Sequence, residues 1–297
     1  MLQIIWNGLF VGSFYALVAL GYSMVYGIMK LLNFAHGDLY MLGAFIGFAL
    51  LTSFSGFTAS LSLVALLVVL GLSMIGTGLA GVAIERVAYR PLRGAPRLSL
   101  LITAVGASFA LEYGTRIVAG PNPEVYPVRL GGSSLHAFGV RISVAQIVLI
   151  GIAIALMAGL NIMVMRFRQG RAMRAIALDP VASRLMGVDV DRVIAQAFFI
   201  GSALAGAAGV MAGAYYGSIN FLMGFIIGLK AFTAAVIGGI GNFKGAMLGG
   251  VVLGLLESFG THFLGGQWRD VFAFAFLILF LTVRPTGLLG ERVTERV

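Results

Sequence analysis

The sequence predicts an all-α membrane protein, a polytopic bundle of eight or nine transmembrane helices forming one domain over residues 1–297. Three observations carry this. Hydrophobic residues make up 60% of the chain and charged residues 10%, against roughly 25% charge in soluble domains, so the polar inventory cannot cover a core of this size. Apolar runs recur along the whole chain at about 20 residues each, the length that crosses a bilayer. The 42 glycines would be odd in a soluble helical protein but suit helices packing at close range in lipid.

Taken in order, the first run, 4–28, has no basic residue before it, and Lys30 is the first charge, so it reads as a retained helix and not a signal peptide. The second, 33–51, begins with Asn33, His36 and Asp38 and reads as a full span or as a discontinuous, half-spanning one. The others are 60–84, 98–118, 143–165, 193–215, 221–240, 245–263 and 270–283. Arg86, Arg90, Arg93 and Arg97 crowd one connection, and six arginines fall between Arg166 and Arg192. By the positive-inside rule both connections, and the polar tail after Arg284, are cytoplasmic. Residues 119–140, with Pro121, Pro123, Pro127, Gly131-Gly132 and Ser133-Ser134, read as an outer loop with turns. Nine spans place the N-terminus outside, in keeping with Lys30; eight place it inside. Gly201, Ala205, Gly209 and Gly213, and likewise Gly241, Gly245 and Gly249, mark close-packing helix faces. A gapped echo between 33–43 and 242–249 points to an internal repeat, a common feature of transporter folds.

Composition also excludes chemistry. The +9 charge lies in short segments between apolar runs, the pattern of cytoplasmic loops and not of a nucleic-acid interface, so membrane lipid is the expected surrounding. With no cysteine, disulfides, thiol catalysis and cysteine-ligated metal are out. No lysine follows a glycine, so a phosphate-binding loop is absent, and Gly239, Gly241 and Gly245 have the wrong spacing for a dinucleotide fingerprint. One His and one Asp in 33–41 are too few for a metal site, and no second aspartate sits inside an apolar run to make an intramembrane protease. No cofactor, metal or enzyme activity is expected, and any ATP hydrolysis belongs to another chain.

Three segments remain. Asn33, His36 and Asp38 are costly at the head of an apolar run and mark a translocation path or gate; the plainer reading has Asn33 capping a helix in the wet interface. Lys230 and Glu257 are ionisable groups inside apolar runs and are placed to pair across neighbouring helices, as a structural tie or as path residues. Glu112 lies one turn from Arg116, which predicts a local pair. Within 166–192, Arg171 and Arg174 belong to one short helix, Asp179-Pro180 opens a second through Ala182, and Gly187 stops it. Two short helices with a turn make a docking surface for a cytoplasmic partner.

Gly12-Ser13-Phe14-Tyr15-Ala16-Leu17 through Gly21 and Gly27, followed by Asn33-Phe34-Ala35-His36-Gly37-Asp38, resembles the start of permease subunits of bacterial branched-chain amino acid ABC importers, closest to the shorter of their two permeases. Gly170-Arg171-Ala172-Met173-Arg174, Gly187-Val188-Asp189-Val190-Asp191-Arg192 and 230–241 match too, so the likeness runs from about Gly8 to Glu257. The resemblance implies a multi-pass protein of the bacterial inner membrane, carrying leucine, isoleucine, valine or a related small solute and forming half of the translocation path. It implies a second, related permease subunit, two cytoplasmic ABC ATPases and an extracytoplasmic solute-binding protein. Residues 166–192 then resemble the ATPase coupling loop, although Pro180 and Val181 replace the common Glu-Ala opening before Ala182. Urea or short amides are the alternative cargo within this family. The rival class is an ion-coupled secondary carrier using Asp38, Glu112 and Glu257 as relays.

Overall fold

The computed structural model describes residues 1–53, 63–127, 134–137 and 139–290. The start of the third predicted span (60–62), the Gly131-Gly132-Ser133 turn and the end of the tail (291–297) lie outside the described residues. In hydrocarbon every backbone N–H and C=O must be satisfied within its own segment, and the apolar runs accordingly fold as helices. These are α1 (Leu2–Met29), α2 (His36–Ser53), α3 (Leu63–Ile84), α4 (Arg97–Ala119), α5 (Val144–Arg166), α6 (Arg168–Leu178), α7 (Pro180–Leu185), α8 (Val190–Tyr216), α9 (Met223–Gly238), α10 (Phe243–Leu264) and α11 (Arg269–Val283). The helix of α3 runs on through a π-turn (Glu85–Tyr89) and a 3₁₀ turn (Arg90–Leu92), ending at Pro91, which has no N–H to continue it.

Among the described residues, seven helices are long and apolar enough to cross a bilayer alone: α1, α3 with its extension, α4, α5, α8, α10, and α11 with the turn before it. The two shorter ones, α2 and α9, complete the nine predicted segments, and each starts inside the bundle. His36 Nε2 lies 3.2 Å from the Val18 carbonyl, yet α1 continues eleven residues beyond Val18. At 1.5 Å per residue that is about 16 Å, so residues 30–35 return through the bundle without helical structure before α2 begins. α9 does the same from the other face, where residues 217–222 lead in to Met223. Non-helical backbone at this depth is tolerated because protein surrounds it; Asn33 and Ala35 are buried. The second span is therefore the discontinuous one, but its non-helical limb still completes the crossing.

The starts of α2 and α9 are built alike and meet. In both, Asn-Phe-x-x-Gly opens the helix: Asn33-Phe34 to Gly37, and Asn220-Phe221 to Gly224. The Asn33 carbonyl accepts from His36 N at 3.0 Å, and the Asn220 carbonyl from Met223 N at 3.3 Å. A Cβ on Gly224 would meet Asp38, and one on Gly37 would strike the Gly224 and Gly228 backbone. The packing repeats too: α1 lies along α10 as α8 lies along α3, and α2 touches α4 as α9 touches α11. The chain is thus two halves, α1–α4 and α8–α11, of opposite sense, joined through α5 to α7, an inverted repeat of the kind transporters use. The sequence echo between 33–43 and 242–249 had the wrong register: Asn242 caps α10, accepting from Gly245 N at 3.1 Å, and it is Asn220 that matches Asn33.

The faces are fixed by contacts between helix ends. β1 (Glu124–Val125) pairs antiparallel with β4 (Ser218–Ile219), while β2 (Ser134–Ala137) and β3 (Val140–Ser143) form a hairpin. Gln3 bonds the Arg141 backbone in both directions, and Ser258 donates to the Ile4 carbonyl. The start of α1 therefore shares a face with the ends of α4, α8 and α10. The opposite face carries Arg86, Arg90, Arg93 and α6–α7; the positive-inside rule expects this face in the cytoplasm and hence the N-terminus outside. α1 and α8 form the core, with 72% and 78% of their most apolar stretches buried, whereas α11 buries 6% and is peripheral.

Candidate functional site

The singled-out residues fall into three places: the mid-depth junction of α2 and α9, an ion cluster joining the middle of α9 to the outer end of α10 and the head of α11, and the α6–α7 loop. At the junction, Asn33 is buried and its Oδ1 accepts from Tyr89 Oη at 2.8 Å. The side chain ties α2 to the end of α3 and does not cap α2, and its Nδ2 has no partner. His36 is enclosed, its ring edge-on to Tyr22 at 4.6 Å and pressed on Gly21. With Nε2 donating to Val18, it is a neutral structural histidine. Asp38, fully buried, accepts from Ser108 Oγ at 2.5 Å and faces the carboxyl of Glu112, both on α4. Glu112 is buried as well. The predicted Glu112–Arg116 pair is not what forms, because Arg116 lies over the Phe221 ring, 5.5 Å from its centroid, and Glu112 turns inward to α2.

In the outer cluster Lys230 Nζ donates to Glu257 Oε1 at 2.8 Å, which realises the predicted pairing of α9 with α10. Two further charges join from the head of α11: Asp270 Oδ1 lies 2.5 Å from Lys230 Nζ, and Arg269 Nε contacts Glu257 Oε1. Arg269 also donates to Tyr15 Oη at 3.3 Å, bringing in α1. Two cations and two anions cancel, which is what makes their burial tolerable. Among the described residues, no hydrogen bond or ion pair joins this cluster to the junction, so the five residues expected together on the path occupy two separate places.

The loop folds by local rules. Met173 and Ile176 bury the inner face of α6, and Gly170 packs directly on the Val164 backbone. Arg174 reaches the Val164 carbonyl, and exposed Arg171 bonds the Arg166 carbonyl at 3.5 Å. Asp179 caps α7, its Oδ1 accepting from Val181 N at 2.8 Å and Ala182 N at 2.9 Å, with Pro180 in the first turn. Gly187 ends the unit at φ +80°, a left-handed conformation that glycine adopts without steric cost. The outward face is apolar: Leu178, Val181, Leu185 and Met186 are 88%, 66%, 83% and 84% exposed. Beside it, Arg90 binds Asp191 at 2.7 Å, and Arg93 contacts both Asp191 and Glu85, tying the end of α3 to the start of α8.

Residues 4–281 match the family described as the permease component of branched-chain amino acid transport systems. The high-affinity branched-chain amino acid transport system permease protein BraD of Pseudomonas aeruginosa is 45% identical over 100% of this chain and 98% of its own length. Its counterparts named LivH in Salmonella typhimurium and Escherichia coli K12 are 43% and 42% identical, over 100% of this chain and 97% of theirs. The chain belongs to this permease family. It is a multi-pass membrane transport subunit and not an enzyme.

Within this permease, sequence reasoning missed Arg269, Asp270, Tyr15, Ser108 and Tyr89. The Arg269-Asp270 pair at the head of an apolar run was a usable signal, being the same kind of costly placement that marked Lys230. Ser and Tyr residues inside apolar runs carry none, because only their distant partners distinguish them.

Proposed function

We propose that this permease forms one half of the membrane path of an ATP-driven importer for leucine, isoleucine and valine. A second, related permease supplies the other half, two cytoplasmic ABC ATPases drive it, and a solute-binding protein delivers cargo at the outer face. The observation that carries this reading is the exposed apolar row on α6–α7. Exposed apolar surface of this kind on a rigid element fits a protein partner, and here it stands on the arginine-rich cytoplasmic side with no nucleotide motif in the chain itself.

The mechanism follows from the connections. Movement of a docked ATPase pushes α7, whose capped start and glycine stop make it a rigid tooth. Arg171 and Arg174 brace α6 against α5, so the push passes to α5 and, through Val188 and Asp189, into α8. α8 is packed on α1, α2 and α3, and its tilting reaches the α2–α9 junction. There Asn33, His36 and Asp38 hold two broken helices side by side, and the alternation between outward and inward openings takes place across them. Selectivity is supplied by the delivering protein, in keeping with the few charges within the membrane.

Right-side-out vesicles holding the whole assembly test this. Leucine uptake is expected to need both internal ATP and external binding protein. Uptake driven by a proton gradient through this chain alone would refute it, and uptake of urea or acetamide in place of leucine would reassign the cargo.

A further inference from the structure

The outer ends of α1, α8 and α10, with the heads of α5 and α11, line an open cleft of about 650 Å³, within the roughly 300–1,000 Å³ span of small-molecule clefts. From α1 it receives apolar Ile4, Phe10 and Val11 together with polar Gln3 and Asn7, and Glu257 and Arg269 of the ion cluster also line it. Both cations that reach Glu257 engage the same oxygen, Oε1. Its Oε2 is buried and has no partner. A buried carboxylate oxygen left without a donor is costly, so this atom calls for a donor from outside the chain.

We infer that this cavity is a low-affinity binding site for a zwitterionic α-amino acid with an apolar side chain. The ammonium group donates to Glu257 Oε2, the carboxylate meets the forked guanidinium of Arg269, and the side chain lies against Ile4, Phe10 and Val11. The inference rests on the amino-acid cargo argued above. Charge supports it independently. Lys230, Arg269, Glu257 and Asp270 sum to zero, and a ligand with no net charge keeps that balance in a region of low dielectric; a cationic or anionic ligand upsets it. The site stands where a delivering protein on the outer loops would release its cargo, and weak binding suits a step that must pass the solute onward. A counterpart cavity of about 570 Å³ lies at the inner ends of α3 and α8, the positions that the inverted repeat relates to α10 and α1.

The chain supplies its own probe, since each of its two tryptophans is joined to a lining residue, Trp6 by a hydrogen bond and Trp268 by sequence. Trp6 Nε1 donates to Gln146 Oε1, a lining residue, at 2.8 Å, and Trp268 precedes Arg269. The full chain in nanodiscs, titrated with L-leucine, is expected to show a saturable change in tryptophan fluorescence in the ~mM range. Isovalerate and isoamylamine each present one of the two charges and should bind at least about tenfold more weakly, the scale of one lost charge-assisted contact. Val11→Phe fills the cavity without touching the ion cluster and should abolish the response; Glu257→Gln should weaken it about tenfold. In the whole assembly both variants should lower the maximal uptake rate and leave the half-saturating leucine concentration, set by the binding protein, unchanged. No saturable response to leucine, or an equal one to isovalerate, overturns the site, even where ATP-dependent leucine uptake persists and the importer reading stands. A response to acetamide alone, with amide uptake by the assembly, overturns the site and the amino-acid reading together.

Discussion

Glu257 sets the stability of the outer cluster because Lys230 and Arg269 both bind one of its oxygens while Asp270, half-exposed, serves only Lys230. Removing it leaves buried Lys230 and partly exposed Arg269 with one partly solvated anion. Glu257→Leu is therefore expected to destabilise the folded chain by about 3–5 kcal/mol. Lys230→Met should cost less, on the order of 1–3 kcal/mol, since Glu257 keeps Arg269. Thermal unfolding in detergent should rank Glu257→Leu below Lys230→Met, and the reverse order would remove Glu257 from the centre of the cluster. At this scale the sequence reveals the costly residues better than their partners. Lys230 and Glu257 stand out as ionisable groups in apolar runs. Glu112 stands out equally, but i,i+4 spacing points to Arg116, whereas the bundle brings Asp38 of α2 within reach and leaves Arg116 to Phe221. Nothing local to Glu112 encodes that choice.

Among elements, the α6–α7 pair was the most legible, because caps and stops are local chemistry: Asp179-Pro180 opens α7 and Gly187 closes it with no long-range contact involved. Asp179→Ala should cost about 1 kcal/mol of cap, and Gly187→Ala should impose about 1–2 kcal/mol of left-handed strain. Each is too small to prevent insertion but large enough to loosen a six-residue helix. Reconstituted assemblies carrying either change should hydrolyse ATP with leucine uptake at least about fivefold reduced, a ratio of about 1 kcal/mol; uptake at the normal rate per ATP would detach α7 from coupling. Small-residue faces were legible as close packing but not as to which glycine matters. Gly209 backs onto the Tyr40 carbonyl, while Gly151 on α5 has no neighbour within 4 Å. Gly209→Ala is expected to lower thermal stability measurably, whereas Gly151→Ala should leave it unchanged or raise it by up to about 1 kcal/mol. Equal effects would contradict the packing described for α2 against α8.

For the whole molecule, hydrophobic lengths made the class and the segments legible, since these are set by the bilayer and not by tertiary detail, and arginine placement supplies the expected orientation. The inverted repeat was only half visible. Two Asn-Phe-x-x-Gly starts 187 positions apart (Asn33 and Asn220) share too few letters to outweigh the competing echo at Asn242, and only the packing of α1 on α10 and of α8 on α3 decides between them. In the proposed mechanism the two inverted halves pivot on the α2–α9 junction, driven from one handle on α6–α7. Within the assembly, affinity purification of this chain from native membrane should bring ATPases and a second permease with it. The most direct measurement uses the purified chain, alone in sealed liposomes with leucine outside and a membrane potential or proton gradient imposed. The proposed ATP-driven importer predicts leakage no faster than protein-free liposomes until the ATPases, partner permease, binding protein and ATP are restored. Saturable leucine flux through the chain by itself would contradict it.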